Sequence, residues 1–260
     1  MTKYAKPSLL LLGSFAIGYN AAHAIHELGH AIAVWFSGGS ITGLALHPFS
    51  LSKIHYSITE TVTIVLAGAL FASLVGLLML ALIWRQRSAW AVPIVVTVLC
   101  TFIVNAVYFG VDGMLLVGGD ATVLIKRGVS QPVVVGVGIL LLVVGTVIAM
   151  LLLPRLGIGQ QNGFGARIFV LWTGIGSYLL AIFIYHLLFK PREILLWGTF
   201  AGVGLVLISV LAVVSPLIES RCAWIRRQQA GDPGWLWPLT TVAVGAAIVI
   251  AELMKRVNPL

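Results

Sequence analysis

Residues 21–36 read AAHAIHELGHAIAVWF. They close a continuous apolar run, residues 8–36, yet they carry three histidines and a glutamate. Successive residues of a helix turn by about 100°, so Asn20, His23, His26, Glu27 and His30 project within a sector of roughly 120°. An ionisable side chain at the centre of a membrane span costs about 3 kcal/mol or more. A stripe of this kind has to face a protein interior or water, so the helix that bears it is expected to be one of several. Ala22-His23-Ala24 offers small residues at signal-peptidase spacing, but the apolar run continues to Phe36 and reads as a retained helix.

The remainder of the chain agrees. Of its 260 residues, 60% are hydrophobic and 9% charged, and the mean hydropathy is +1.06. Soluble domains carry about 25% charged residues. A helix needs about 20 apolar residues to cross the hydrocarbon core. Seven runs qualify, roughly 8–36, 61–84, 89–111, 132–153, 168–189, 194–217 and 236–254. The expected fold is an all-α polytopic membrane protein with about seven transmembrane helices. Connectors such as Ser37-Gly38-Gly39-Ser40 and Gly118-Gly119-Asp120 separate the runs.

A net charge of +8 in a soluble protein would suggest a nucleic-acid partner. Here the bases sit at span ends, as at Arg85/Arg87 and Lys126/Arg127, where they anchor the chain to headgroups. The lipid bilayer is therefore the expected partner, nucleic acid is not, and the cell membrane is the expected location. Cys100 and Cys222 form no CxxC pair and read as apolar fillers.

Within the stripe, His26-Glu27-Leu28-Gly29-His30 fits HExxH. Two histidines at i and i+4 point the same way one turn apart and can grip one Zn²⁺. The intervening glutamate lies beside the metal, free to take a proton from water and pass it to a leaving amine. A catalytic zinc site needs a third protein ligand and an open position. The acids outside the motif are Glu60, Asp112, Asp120, Glu193, Glu219, Asp232 and Glu252. Successive spans alternate direction, so the ends of spans 1 and 3 open on the same side. Asp112 and Asp120 lie at that end of span 3, and one of them is expected to complete the site. The plainer reading of either is an interfacial acid or a helix N-cap.

These residues resemble the site-2-protease family of zinc intramembrane proteases, over roughly residues 15–130. HELGHAIAVWFSGGSITG resembles the family's motif helix and the Gly-Gly turn into an extended hairpin, and Gly43 to Pro48 continues that pattern. Leu66-Ala67-Gly68-Ala69-Leu70 resembles the Ala-Gly that opens the second core helix. The resemblance implies a three-helix metalloprotease core in residues 1–130; over 40–59 the strand-like, β-branched content of Ile41 to Leu46 and Ile54 to Thr59 reads as an edge hairpin or equally as a plain loop. Residues 131–260 would be a four-helix scaffold or partner-binding region. It assigns His26 and His30 to Zn²⁺, Glu27 to the general base, and an aspartate of the third core helix to the third ligand. The family's Asn-x-x-Pro followed by Asp-Gly is not kept, since no proline follows Asn105 and two acids compete. Asp120 is favoured, because an acid at a helix start can meet both metal and water, and Asp112 is the alternative. Asn105 is expected to hydrogen-bond a substrate backbone or to pack helices.

The expected function is a zinc-dependent intramembrane endopeptidase acting on a membrane-anchored protein or peptide. Two alternatives differ from it. One is the membrane HExxH class that takes a glutamate from a later helix, where Glu193 would have to serve. The other is a catalytically inactive metal-binding membrane protein, a transporter or regulatory chaperone. Transport predicts further acids or histidines in spans 4 to 7, and few are present. His23 reads as a partner of the site or as a pore-facing histidine. His47 and His55 are expected at the surface, and Tyr185 and His186 as isolated residues of the scaffold.

Overall fold

Helix α1 (Thr2–Phe36) is 35 residues long, roughly 52 Å at the α-helical rise. It ends where Gly38 takes a left-handed conformation, φ +78°. There the Gly38 N–H bonds the Trp35 carbonyl at 3.0 Å and the Gly39 N–H bonds the Val34 carbonyl at 2.9 Å. This pairing satisfies the last carbonyls of the helix and turns the chain sharply. A short antiparallel hairpin follows, β1 (Ile41–Ala45) and β2 (Lys53–Tyr56), pairing Ile41 with Tyr56 and Ala45 with Lys53. Of the two expectations for residues 40–59, the hairpin is the one that forms.

The computed structural model describes residues 2–49, 52–86, 88–155, 163–190, 194–221 and 234–257; Arg87, Cys222 and Glu193 lie outside them. Seven further helices complete the described chain: α2 (Val62–Ile83), α3 (Val92–Leu115), α4 (Asp120–Lys126), α5 (Gln131–Arg155), α6 (Phe164–Phe189), α7 (Ile194–Arg221) and α8 (Leu236–Val257). Six helices, α1, α2, α3, α5, α6 and α7, are long and apolar enough to cross a membrane. In α8 the apolar stretch is the shorter Leu236–Ala251. The chain is a multi-pass, all-α membrane protein, and each of the seven apolar runs falls on one of these helices.

Helix α2 shows how the spans divide their faces. Thr61 caps it, its hydroxyl accepting from the Ile64 N–H at 3.3 Å. Ile64, Val65, Gly68, Ala69, Ala72 and Gly76 are buried, and the glycines and alanines among them let neighbouring backbones approach closely. Leu70, Leu74, Leu77, Leu78 and Leu82 are exposed on the other side, as a lipid-facing surface requires.

Helix α3 is the central element, packed by α1, α2 and α5, and its residues 107–111 form one π-helical turn. Helix α8 returns to pack along α1. The second half of the chain therefore surrounds α1 and α3, and α6 reaches the loop after β1. His47 in that loop is buried, 1% exposed, with Nε2 2.9 Å from the Tyr185 hydroxyl. The surface expectation for His47, and the isolation expected of Tyr185, are both corrected: each supplies the other's polar partner. His186 is also buried, stacked on Trp197 with ring centroids 4.7 Å apart. His55 is exposed.

Candidate metal centre

Helix α1 carries His26 and His30 one turn apart, and both are buried. Their Nε2 atoms are 3.0 Å from each other. The Asp120 Oδ2, at the first turn of α4, lies 3.0 Å from His26 Nε2 and 3.4 Å from His30 Nε2. Among the described residues this is the trio of His, Cys, Asp or Glu side chains that can hold a metal ion.

The hydrogen bonds behind the two histidines decide which nitrogens face the centre. The Asn105 Nδ2 donates to the Ala69 carbonyl at 3.2 Å and to the Ser73 hydroxyl at 3.3 Å. A carbonyl only accepts, so the Asn105 Oδ1 is the atom 2.8 Å from His26 Nδ1, and Nδ1 must carry a proton and donate. By the same reasoning His30 Nδ1 donates to the Ile64 carbonyl at 2.8 Å. Each neutral imidazole then directs its Nε2 lone pair inward, towards the other and towards the carboxylate.

Three lone-pair donors 3.0–3.4 Å apart repel unless a cation lies among them. Ligands about 2.0–2.1 Å from a tetrahedral zinc ion lie about 3.3 Å apart. Two imidazoles, one carboxylate and this spacing fit zinc.

Two glycines make room for this arrangement. A Cβ on Gly29, inside the motif, would stand 2.5 Å from the Ala67 carbonyl oxygen of α2. One on Gly68 would stand 2.5 Å from His30 Nε2 and 2.9 Å from His26 Nε2. The two helices therefore cross backbone to backbone beside the two histidines.

Asp112 does not join the trio. Its Oδ1 accepts from the Val117 and Gly119 N–H groups and the Thr122 hydroxyl, and its Oδ2 from the Thr122 N–H, at 2.8–3.1 Å. A buried carboxylate so engaged has its charge satisfied by the turn it braces. Asp112 thus shapes residues 116–122, where Leu116 adopts φ 53°, and this turn delivers Asp120. The N-cap of α4 is Gly119, which leaves the Asp120 carboxylate free for the histidines. Of the two expectations for Asn105, the geometry matches helix packing: it is fully buried, and its amide bonds His26, Ala69 and Ser73.

Glu27, 3% exposed, lines a cavity of about 270 Å³ with His30, Tyr108, Asp120 and the hairpin residues His55 and Tyr56. At its mouth burial raises the Tyr56 phenol, and Glu60 beside it adds to the shift, so this hydroxyl stays a neutral donor. A smaller cavity of about 120 Å³, among α3, α5, α6 and α7, has an apolar lining and carries no such chemistry.

Tyr108, on the π-helical turn, went unread in the sequence. Its ring stacks on His26 with centroids 4.4 Å apart and planes 7° apart. Its hydroxyl lies 3.3 Å from His23 Nδ1, 3.3 Å from the Ser52 carbonyl and 3.5 Å from Glu27 Oε1. His23 therefore borders the site through Tyr108. A signal was present: Asn105, Tyr108 and Asp112 recur at i, i+3 and i+7, a polar stripe in span 3 that answers the one in span 1.

Fold and site together define a multi-pass helical membrane protein with a buried two-histidine, one-aspartate centre able to hold a metal ion. No protein-family model, no curated protein and no solved structure matches the chain.

Proposed function

We propose that this protein is a zinc-dependent intramembrane endopeptidase of the site-2-protease type. On this reading it sits in the cell membrane and hydrolyses a peptide bond of a membrane-anchored protein or peptide. The observation that carries the proposal is the convergence of His26, His30 and Asp120, with both Nδ1 atoms tied back and Glu27 on the wall of the adjoining cavity. When bound there, zinc supplies Lewis-acid polarisation of a peptide carbonyl and makes water acidic enough to ionise near neutral pH. Glu27 takes the proton of the attacking water and hands it to the leaving amine. Asn105 and the Ile64 carbonyl hold the imidazoles in their metal-binding tautomer. An extended segment added to the edge of the β1–β2 hairpin would present its peptide bond at the cavity mouth.

A third donor from Asp120 supports this reading over the class that recruits a later glutamate. The presence of one metal-holding trio among the described residues supports it over a transport path, which needs successive sites.

The test uses the full chain in lipid nanodiscs, metal analysis, and a panel of labelled single-span peptides. The wild type and Glu27→Gln should each hold about one zinc per chain. Peptide cleavage should fall about 10²–10⁴-fold in the variant, the share of a general base. Absence of zinc, or cleavage unchanged by Glu27→Gln, would overturn the proposal.

A further inference from the structure

We infer that Tyr108 is a positioning residue of the proposed peptidase: its ring sets the plane of the His26 imidazole and its hydroxyl tethers the Glu27 carboxylate. The inference rests on the zinc-peptidase reading of the site. Asn105 fixes His26 at one ring edge, through the 2.8 Å bond to Nδ1. That contact leaves the imidazole free to tilt about the bond. The near-parallel ring of Tyr108, 4.4 Å away, removes the tilt. Asn105 and Tyr108 lie three residues apart on α3, so one helical face holds this ligand in two directions.

The hydroxyl calls for its own explanation. A phenylalanine would stack equally well, and a buried hydroxyl is costly unless it is hydrogen-bonded. Tyr108 is 3% exposed, and three groups surround its oxygen: His23 Nδ1, the Ser52 carbonyl and Glu27 Oε1. His23 Nε2 is buried without a hydrogen-bond partner among the described residues. A stranded N–H costs more than a stranded lone pair, so the His23 proton belongs on Nδ1, where it donates to the Tyr108 oxygen. The phenolic proton is then free for Glu27 or Ser52. The Ser52 carbonyl is 3.3 Å away and the Glu27 carboxyl oxygen 3.5 Å, and a carboxylate is the stronger acceptor. The resulting chain runs from His23 through Tyr108 to Glu27 and holds one carboxylate oxygen, leaving the other free for the proton transfer. The π-helical turn at Val107–Val111 places this residue on a locally widened helix, a distortion frequent at functional sites.

Tyr108→Phe keeps the ring and removes the tether. In the full chain in nanodiscs it should retain one zinc per chain with near wild-type affinity. Turnover of the single-span peptides should fall about 10–100-fold while KM stays within about twofold. Tyr108→Ala should in addition weaken zinc binding about tenfold, because the stack is lost as well. A second readout does not depend on cleavage. Benzohydroxamate chelates zinc and passes a proton to a neighbouring carboxylate, so its affinity for the zinc-loaded chain reports where Glu27 stands. Tyr108→Phe should weaken benzohydroxamate about tenfold, and Glu27→Gln at least as much. If the wild type cuts no peptide but this order of affinities holds, the proteolytic reading falls and the role of Tyr108 stands. If Tyr108→Phe matches the wild type in turnover and in hydroxamate affinity while Glu27→Gln is inactive, the role of Tyr108 falls and proteolysis stands. A chain that binds no zinc overturns both.

Discussion

Gly68 shows how much of a metal centre can depend on an atom that is missing. The Cβ it lacks would lie 2.5 Å from His30 Nε2 and 2.9 Å from His26 Nε2, in the space where the two lone pairs meet. Gly68→Ala is therefore expected to lower zinc affinity at least about 100-fold, while helix α2, in which alanine is the better helix former, stays folded. Metal titration beside circular dichroism checks this; wild-type zinc affinity in the variant would refute the placement of the site. The two aspartates divide in a comparable way. Asp120→Ala should remove most zinc affinity, because it deletes a donor. Asp112→Ala deletes no donor but releases four hydrogen bonds, each worth about 1 kcal/mol or more. Its mark should be a thermal midpoint several degrees lower, with zinc binding recovered at higher zinc concentration. If Asp112→Ala abolished binding at saturating zinc while Asp120→Ala did not, the ligand assignment would be reversed.

At the scale of elements, α1 and α3 each bring a polar stripe to a shared interface, and the stripes lock together. His26 pairs with Asn105, and His23 and Glu27 meet Tyr108. Periodicity made the first stripe legible because every member lies on one helix at spacings of three and four. The second was harder to read, since asparagine and tyrosine in an apolar span are common packing residues. Its meaning comes from the facing helix. The hairpin was one of two readings open for residues 40–59, and what holds its connecting loop was not legible, because those contacts come from a helix more than a hundred residues later.

The whole molecule supplies that support. Tyr178 of α6 donates to the Pro48 carbonyl at 2.6 Å, Tyr185 bonds His47 at 2.9 Å, and Phe49 packs against both rings. The Ser52 carbonyl, on the same return loop, touches Tyr108 beside Glu27. Helix α6 thus holds residues 47–49, close in sequence to Ser52 on the cavity wall, a more specific task than scaffolding. The double variant Tyr178→Phe/Tyr185→Phe loses both hydrogen bonds to the loop, of about 1 kcal/mol each, together with the one Tyr178 accepts from Asn20. Amide exchange across residues 44–49 should accelerate roughly tenfold or more, with zinc content unchanged. Exchange at the wild-type rate would show that the loop is held some other way.

What the amino-acid sequence determined alone is whatever depends on neighbours along one helix. That covers the membrane class, set by the apolar runs, and the alignment of His26, Glu27 and His30 on one face, set by 3.6-residue periodicity. It also left two candidates for the third donor, because Asp112 and Asp120 reach the same end of α3 and no local rule ranks them. Only the tertiary structure separated them: the turn after Leu116 wraps its own backbone donors around Asp112 and sends Asp120 towards the histidines. The same holds for Asn105, Tyr108 and the Nε2 of His47, whose partners lie 32 to 138 positions away. In an interior without water each buried donor must find an acceptor in space, and chain distance does not determine which one it finds.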